Sequence, residues 1–312
     1  MKSFLKYTFL FALFAGVFYV FALLVWGIVM PEKIKSNLNY RIGSYGHMYT
    51  RLKEVNQYKD LDILFLGSSH AYRGFDTRIF QKEGLKTFNL GSSSQSPVQT
   101  KILLERHVNQ LRPKLVVIDV SPLILSGDGV EAALDLIANG PVDKYCFEMA
   151  LELGHPKVYN TLVFGMLSSF FSLHKNYTEP LQKGDDNYIQ GGYVERRLDY
   201  YHPVQLPVKT IELNQELVNS LIDCLQLLSE KQIPVWLVYT PIAPSNFRRY
   251  IGNHLFDKQM GRLGMYDNFN NILSLNDSLY FYDADHLNQN GVELFNKRMI
   301  EVMKEHKLLE AN

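Results

Sequence analysis

Residues 63–70 of this 312-residue chain have the sequence Ile-Leu-Phe-Leu-Gly-Ser-Ser-His. Four consecutive apolar residues that end in a glycine predict a strand buried on both of its faces. Gly67 permits a tight turn, so Ser69 would stand where the chain leaves the strand. In open α/β sheets, ligands bind at the carboxyl ends of the parallel strands. We therefore expect the functional site at the end of this strand, with Ser69 as its first candidate residue.

Four further apolar runs alternate with helical patterns along the chain. Strands are predicted at residues 87–90, 115–118, 234–239 and 279–282, and helices at residues 98–111, 209–231 and 291–306. Apolar strands that alternate with helices are typical of a parallel sheet covered on both faces. The predicted fold class is therefore α/β, with a doubly wound five-stranded parallel sheet in flavodoxin-like order.

The composition divides the chain into three parts. Residues 1–30 form a cytoplasmic tip and an apolar helix, residues 31–58 a polar helical connector, and residues 59–312 the α/β domain. Residues 125–208 of that domain are rich in aromatic residues and glycine and lack clear strand patterns. We expect a helical insertion there.

The apolar N-terminal segment predicts a membrane anchor. Residues 8–30 contain no charged residue, and a helix needs about 20 residues to cross a bilayer. Lys2 and Lys6 precede this segment, so the N-terminus should stay in the cytoplasm. A cleaved signal peptide is the alternative, but its apolar region typically spans about 7–15 residues and ends in small residues. We therefore expect a single-pass anchor with residues 31–312 outside the cytoplasm, in the periplasm or the extracellular space.

Charge and cysteine content exclude several classes of protein. The 32 basic residues balance the 32 acidic residues, whereas a general nucleic-acid-binding protein usually has a basic excess. With 46% hydrophobic and 21% charged residues, the chain is neither disordered nor collagen-like. Its two cysteines, Cys146 and Cys224, cannot form a four-thiolate zinc site and are expected to be buried thiols.

A second polar cluster follows the predicted fifth strand, where residues 283–288 have the sequence Asp-Ala-Asp-His-Leu-Asn. Asp283 could accept a hydrogen bond from Nδ1 of His286, which leaves Nε2 free to deprotonate a serine. A structural histidine is one alternative. A metal site is another, because Asp283, Asp285 and His286 offer three ligands. No second cluster of this kind supports a metal, so we expect neither a metal nor a cofactor. Ser68 and Ser69, for their part, could merely cap a helix.

The two motifs together resemble the SGNH (GDSL-type) hydrolase superfamily. The shared blocks are Gly67-Ser68-Ser69 after the first strand, Gly91 after the second, and Asp283 to His286 before the last helix. The resemblance runs from about residue 60 to residue 305, outside the insertion. It implies that Ser69 is the nucleophile, His286 its base and Asp283 the acid that orients the base. It also implies that the backbone N–H groups of Ser69 and Gly91 form the oxyanion hole.

The chain departs from this family after the third strand. The family carries an Asn there that completes the oxyanion hole, whereas residues 119–123 have the sequence Asp-Val-Ser-Pro-Leu. Losing one such donor typically costs about 2.7–4 kcal/mol of transition-state stabilisation. Either Ser92, Ser93 or Ser121 substitutes, or activity is poor. A membrane-anchored branch departs at the same place; its members resemble alginate O-acetylation proteins and the D-alanine transfer protein of teichoic acid synthesis.

The resemblance implies a membrane-anchored serine esterase or O-acyltransferase. It would move an acyl group, expected to be acetyl, off or onto a cell-envelope glycan through an acyl-enzyme on Ser69. A lipid or small-ester hydrolase with the same triad is one alternative, and a non-catalytic scaffold that binds a glycan or a membrane partner is another. The expected partners are the glycan or acyl ester, a multispanning membrane acyltransferase, and the membrane itself through the N-terminal helix.

Several other side chains are candidate substrate contacts. Arg73 could bind an anionic group of the substrate, and His70 is expected in the wall of the site. The insertion carries rings that could stack on sugars: Tyr188, Tyr193, Tyr200, Tyr201 and His202. Packing within a small core of the insertion is the alternative for these rings.

Overall fold

The computed structural model describes residues 1–309 of the chain. In these residues the strands are β1 (Ile63–Leu66), β2 (Thr87–Asn89), β3 (Leu115–Asp119), β4 (Gln182–Lys183), β5 (Asp186–Ile189), β6 (Tyr193–Arg196), β7 (Lys209–Thr210), β8 (Val235–Tyr239), β9 (Tyr250–Ile251) and β10 (Tyr266–Asn268).

The α-helices are α1 (Lys2–Val29), α2 (Met48–Glu54), α3 (Ser69–Gly74), α4 (Thr77–Lys82), α5 (Pro97–Leu111), α6 (Pro122–Leu125), α7 (Val130–Asn139), α8 (Lys144–Leu153), α9 (Pro156–Phe170), α10 (Gln215–Glu230), α11 (Pro244–Arg248), α12 (Asn253–Leu263), α13 (Phe269–Ile272), α14 (Asp277–Tyr280) and α15 (Gln289–Glu305). Two short 3-10 turns lie at Glu32–Ile34 and Val55–Gln57.

A five-stranded parallel sheet forms the centre of the domain, in the order β10-β8-β3-β1-β2. This is the predicted flavodoxin-like order, so the fold class is confirmed. Helices cover both faces of the sheet, which explains why β1 is apolar throughout. Leu64 and Leu66 point into one hydrophobic core, while Ile63 and Phe65 point into the other.

The prediction of the fifth strand at residues 279–282 is wrong. The fifth strand is β10, which pairs in parallel with β8 through Asn268 and its neighbours. β10 lies at the edge of the sheet, so it needs no continuous apolar run and was not recognisable as a strand. Asn276 accepts a hydrogen bond from the Ser278 N–H and so starts the short helix α14. Phe281 makes only an isolated bridge with Leu287.

The insertion and the connector are less helical than predicted. Helices α7, α8 and α9 fill the first part of the insertion, but β4, β5 and β6 follow as an antiparallel sheet. Gly184, at φ +58°, allows the tight turn between β4 and β5. In the connector, residues 35–47 contain no helix, and α2 begins only at Met48.

The N-terminal segment forms the 28-residue helix α1. The mean hydropathy over an 18-residue window of α1 is 2.5, and the helix is long and apolar enough to cross a membrane.

Candidate active site

The end of β1 places Ser69 at the start of α3. Gly67 has φ +136°, and a Cβ atom there would lie 2.6 Å from Cβ of Asp119, so the turn needs a glycine. Ser68 is the residue that caps α3, because its Oγ accepts a hydrogen bond from the His70 N–H at 3.2 Å. Its hydroxyl donates to Asp119 Oδ2 at 3.2 Å. The capping role considered for both serines therefore belongs to Ser68, and the Ser69 side chain remains available.

The structure brings Ser69, His286 and Asp283 into one hydrogen-bonded chain. Nε2 of His286 lies 2.8 Å from Ser69 Oγ, although 217 residues separate the two in sequence. Nδ1 of His286 lies 2.9 Å from Asp283 Oδ2. Asp283 Oδ1 also accepts the backbone N–H groups of Asp285 at 2.8 Å and of His286 at 2.7 Å, which fixes the carboxylate. This is the geometry of a nucleophile, a base and an orienting acid.

The pKa values of the acid and the base both lie below their ordinary range. Burial alone would raise the pKa of the Asp283 carboxyl, but hydrogen bonds from His286 and from backbone N–H groups lower it. Burial lowers the pKa of His286, and it outweighs the opposing effect of Asp283. Asp283 is therefore ionised and His286 neutral at neutral pH, as a general base requires.

Tyr282 is a site residue that the sequence did not reveal. Its ring is parallel to the His286 ring, with an interplanar angle of 4° and centroids 5.5 Å apart. Residues 279–282 were predicted as a strand, which gave Tyr282 no role in the site. The only available signal was its position next to Asp283. This stacking holds the imidazole plane in place.

A cavity of about 270 Å³ opens beside the Ser69 hydroxyl. Its wall comprises Ser68, Ser69, His70, Ser94, Ser96, Leu123, Ile124, Gly127, Asp128, Gly129, Glu131, Asp285 and His286. This wall contains three carboxylates and no lysine or arginine, so an anionic substrate group would be repelled there. His70 is buried in the wall as expected, with its ring centroid 5.2 Å from that of His286.

Gly91, the expected second oxyanion donor, has its backbone N–H engaged by a neighbouring side chain. The Gly91 N–H donates to Asn89 Oδ1 at 3.0 Å, so it is already engaged, and Gly91 is absent from the cavity wall. Asn89 is held in turn by the Ala71 carbonyl, which accepts from its Nδ2 at 2.7 Å. Ser94 does lie in the wall, in the left-handed conformation at φ +50°. Its backbone N–H has no acceptor among the described residues.

None of the serines considered as substitutes for the missing Asn lies in the cavity wall. Ser92 Oγ donates to Gln95 at 2.9 Å, and Ser93 Oγ donates to Glu131 at 2.9 Å. Ser121 Oγ caps α6, because it accepts from the Ile124 N–H at 3.4 Å. Ser69 and Ser94 do lie in the wall, and their backbone N–H groups make no hydrogen bond within the described residues, so both are candidate donors.

The expectation that Arg73 binds an anionic substrate group is contradicted by the structure. Its guanidinium forms a bidentate ion pair with Asp186 of β5, at 2.8 and 2.7 Å. Arg73 therefore ties the β4–β6 sheet to α3 and is not in the cavity wall.

The aromatic residues of the insertion do not form a platform for sugars. Tyr193 is buried in the core with its hydroxyl 2.7 Å from Gln289 Oε1, and Tyr201 is buried in the same core. Tyr188 is also buried and its hydroxyl bonds Glu54. Tyr200 and His202 are exposed but lie outside the cavity wall. The alternative considered above, a small core of the insertion, does not describe them either: Tyr193 and Tyr201 pack in a main core of the domain, and Tyr188 packs with Tyr72 and Val194.

The structure does not support the alternative of a metal site at Asp283, Asp285 and His286. Across residues 1–309 there is no group of three or more His, Cys, Asp or Glu side chains that could hold a metal ion. Asp285 instead accepts a hydrogen bond from Asn246 Nδ2 at 2.7 Å.

Comparison with known proteins adds three solved structures. One is a candidate acylhydrolase from Bacteroides fragilis, with 12% identity, a TM-score of 0.42, and coverage of 85% of this chain and 98% of that chain. A candidate platelet activating factor from Streptococcus pneumoniae has 11% identity, a TM-score of 0.46, and coverage of 82% and 91%. A GDSL-like lipase from Bacteroides thetaiotaomicron has 14% identity, a TM-score of 0.40, and coverage of 83% and 98%. No family model and no curated protein matches the chain. The three likenesses are weak, and none assigns a function to this chain.

Proposed function

We propose that this protein is a membrane-anchored serine esterase or O-acyltransferase of the SGNH type. The observation that carries the proposal is the hydrogen-bonded chain from Ser69 through His286 to Asp283, with 2.8 Å between Oγ and Nε2. A serine that merely caps a helix does not need an imidazole at hydrogen-bond distance and a carboxylate behind it.

The chemistry follows from this geometry. Ser69 Oγ attacks the carbonyl carbon of the ester while Nε2 of His286 accepts the hydroxyl proton, and Asp283 stabilises the imidazolium. In this proposal the backbone N–H groups of Ser69 and Ser94 donate hydrogen bonds to the oxygen that becomes negatively charged. The C–O bond of the ester then breaks, and His286 returns the proton to the leaving alcohol. A second hydroxyl, of water or of an acceptor sugar, attacks the acyl-enzyme in the same way.

The cavity favours a short, uncharged acyl group. A volume of about 270 Å³ lies just below the range of about 300–1,000 Å³ that is usual for drug-sized ligands. A small acyl group such as acetyl fits this space. The carboxylates of Asp128, Glu131 and Asp285 in the wall disfavour a uronate or phosphate at the reacting centre. We therefore propose an acetyl ester of a neutral part of a cell-envelope glycan.

The proposed location is the outer surface of the cytoplasmic membrane. It rests on the length and hydropathy of α1 and on Lys2 and Lys6 at its cytoplasmic end. A multispanning acyltransferase that delivers the acyl group across the membrane is the proposed partner.

The test is an acyl-transfer assay on the full chain in detergent micelles. The protein receives an activated acetyl ester, with and without oligosaccharides as acceptors, and Ser69→Ala is the matched control. Transfer predicts acetylated sugar at the expense of free acetate, because the acceptor competes with water for the acyl-enzyme. Free acetate unaffected by any acceptor would favour the hydrolase alternative. Turnover no greater than that of Ser69→Ala would favour the scaffold.

A further inference from the structure

Helix α9 has an apolar face that nothing in the described chain covers. Residues 158–173 contain no charged residue. On this segment, five large apolar side chains are exposed, by the following fractions: Tyr159 36%, Met166 43%, Phe170 81%, Phe171 54% and Leu173 42%. An uncharged helix with a wide apolar surface is typical of a protein core or a membrane.

The other faces of α9 are in contact with the domain and with α1. Gly165 lies so close to α7 that a Cβ there would be 3.2 Å from Cγ2 of Ile137. On the next face, Phe164 packs in one small core with Leu23 of α1. A Cβ on Gly27 would meet the Phe164 ring at 2.2 Å, so the two helices depend on a glycine for this approach.

These contacts place α9 beside the part of α1 that is suited to lipid. Besides the Gly27 contact, the Tyr19 hydroxyl donates to Asn160 Oδ1 at 2.6 Å. Tyr19 and Gly27 both belong to the uncharged segment 8–30. The lipid-facing surface of α1 therefore continues directly onto the open face of α9.

We infer that the exposed face of α9 is a lipid-contact surface, immersed in the leaflet from which α1 emerges. Lys175 follows the uncharged segment and suits the phosphates of lipid head groups. The domain is then held on the bilayer by two adjacent helices and does not swing on a flexible tether. This fixes the height of the Ser69 cavity above the membrane.

Site-directed spin labelling of the full chain in phospholipid nanodiscs tests this assignment. Labels at Phe170→Cys and Met166→Cys are compared with Leu255→Cys on α12, where the side chain is 69% exposed and the helix packs against the sheet edge at β10. Cys146 and Cys224 are buried, so the unsubstituted protein serves as the labelling blank. Collision rates with oxygen, which concentrates in lipid, and with a water-soluble nickel chelate report where each label lies.

Lipid contact predicts that oxygen collisions dominate at residues 166 and 170 and that nickel collisions dominate at residue 255. Nickel collisions at residues 166 and 170 as frequent as at residue 255 would overturn the assignment. So would shielding from both reagents, which would mean that protein covers α9. Helix α9 contributes no residue to the Ser69 cavity, so this result and the acyl-transfer assay can fail independently.

Discussion

At the scale of single residues, three neighbours restrain His286, and each has a different role. Asp283 fixes Nδ1, Ser69 occupies Nε2, and the Tyr282 ring holds the imidazole plane. The first two contacts were predictable, because Asp283 and His286 are close in sequence and a serine after a buried strand is a recognisable pattern. The role of Tyr282 was not predictable, because it depends on the conformation of the loop that carries its ring. Nothing in the sequence around Tyr282 indicates that conformation.

The lowered pKa of His286 predicts the pH dependence of activity. The neutral imidazole accepts the Ser69 proton, so kcat/KM should rise as His286 loses its proton. Because burial lowers this pKa, the midpoint of the rise should lie below the ordinary value of about 6.5. A pH profile of acetyl-ester hydrolysis measures the midpoint.

Asp283→Asn provides the matched control for this profile. The carboxylate raises the pKa of His286, so its removal should move the midpoint lower still and reduce the plateau. A midpoint above about 6.5 in the unsubstituted protein would contradict the account of His286.

Tyr282 should act through the position of the imidazole. Tyr282→Leu removes the stacked ring and should lower kcat by up to about tenfold, or about 1.4 kcal/mol, with KM little changed. Tyr282→Phe keeps the ring and should retain activity. Steady-state kinetics of the two variants separates an effect of the ring from an effect of the hydroxyl. An equal loss of kcat in both variants would assign the effect to the hydroxyl, contrary to the prediction.

At the scale of elements, the sheet was predictable where its strands are central and apolar. The central strands β1, β3 and β8 appear as apolar runs, whereas the edge strand β2, with the sequence Thr-Phe-Asn, was found from Phe88 and Leu90 before Gly91. The edge strand β10 is only partly buried, and its sequence Tyr-Asp-Asn lacks that signal. The ion-pair partner of Arg73 could not be predicted either, because Asp186 lies 113 residues away in the sequence and only the fold brings the two side chains together.

The turn after β1 predicts a large effect of a small substitution. Gly67→Ala places a Cβ against Asp119 and forces a side chain into a positive-φ conformation, so it should lower the melting temperature strongly. Gly84→Ala is the control, since Gly84 also has positive φ, +79°, but nothing lies within 4 Å of its Cβ position. Gly84→Ala should lower the free energy of unfolding only by the cost of the positive-φ conformation, about 1–2 kcal/mol. Thermal unfolding of both variants measures the difference, and equal shifts would show that contact with Asp119 is unimportant.

At the scale of the whole molecule, the proposal that α1 spans the membrane also decides on which side of the membrane the cavity lies. Lys2 and Lys6 at its start predict that the domain is outside the cytoplasm. Protease added to intact spheroplasts should therefore digest a C-terminal tag while a cytoplasmic marker survives. A tag that stays protected until the cells are lysed would refute both this topology and the proposed glycan substrate.

The arrangement of the insertion shows what the sequence could not reveal about the whole molecule. Its aromatic residues suggested an exposed platform, but Tyr193 and Tyr201 are buried in the main core. Gly127, Asp128, Gly129 and Glu131 are the residues of the insertion that reach the cavity, from a polar loop and the first turn of α7 that have no distinctive pattern. Burial of this kind depends on long-range packing, which local sequence does not encode.

The central claim is that Ser69 is a nucleophile activated by His286. A fluorophosphonate probe reacts covalently with such a serine, and peptide mass spectrometry locates the adduct. The account predicts one adduct, on Ser69. Ser69→Ala should abolish labelling and His286→Ala should slow it severely, with the double variant no worse than Ser69→Ala, because the residues act as one unit. An adduct on another serine that persists in Ser69→Ala would contradict the claim.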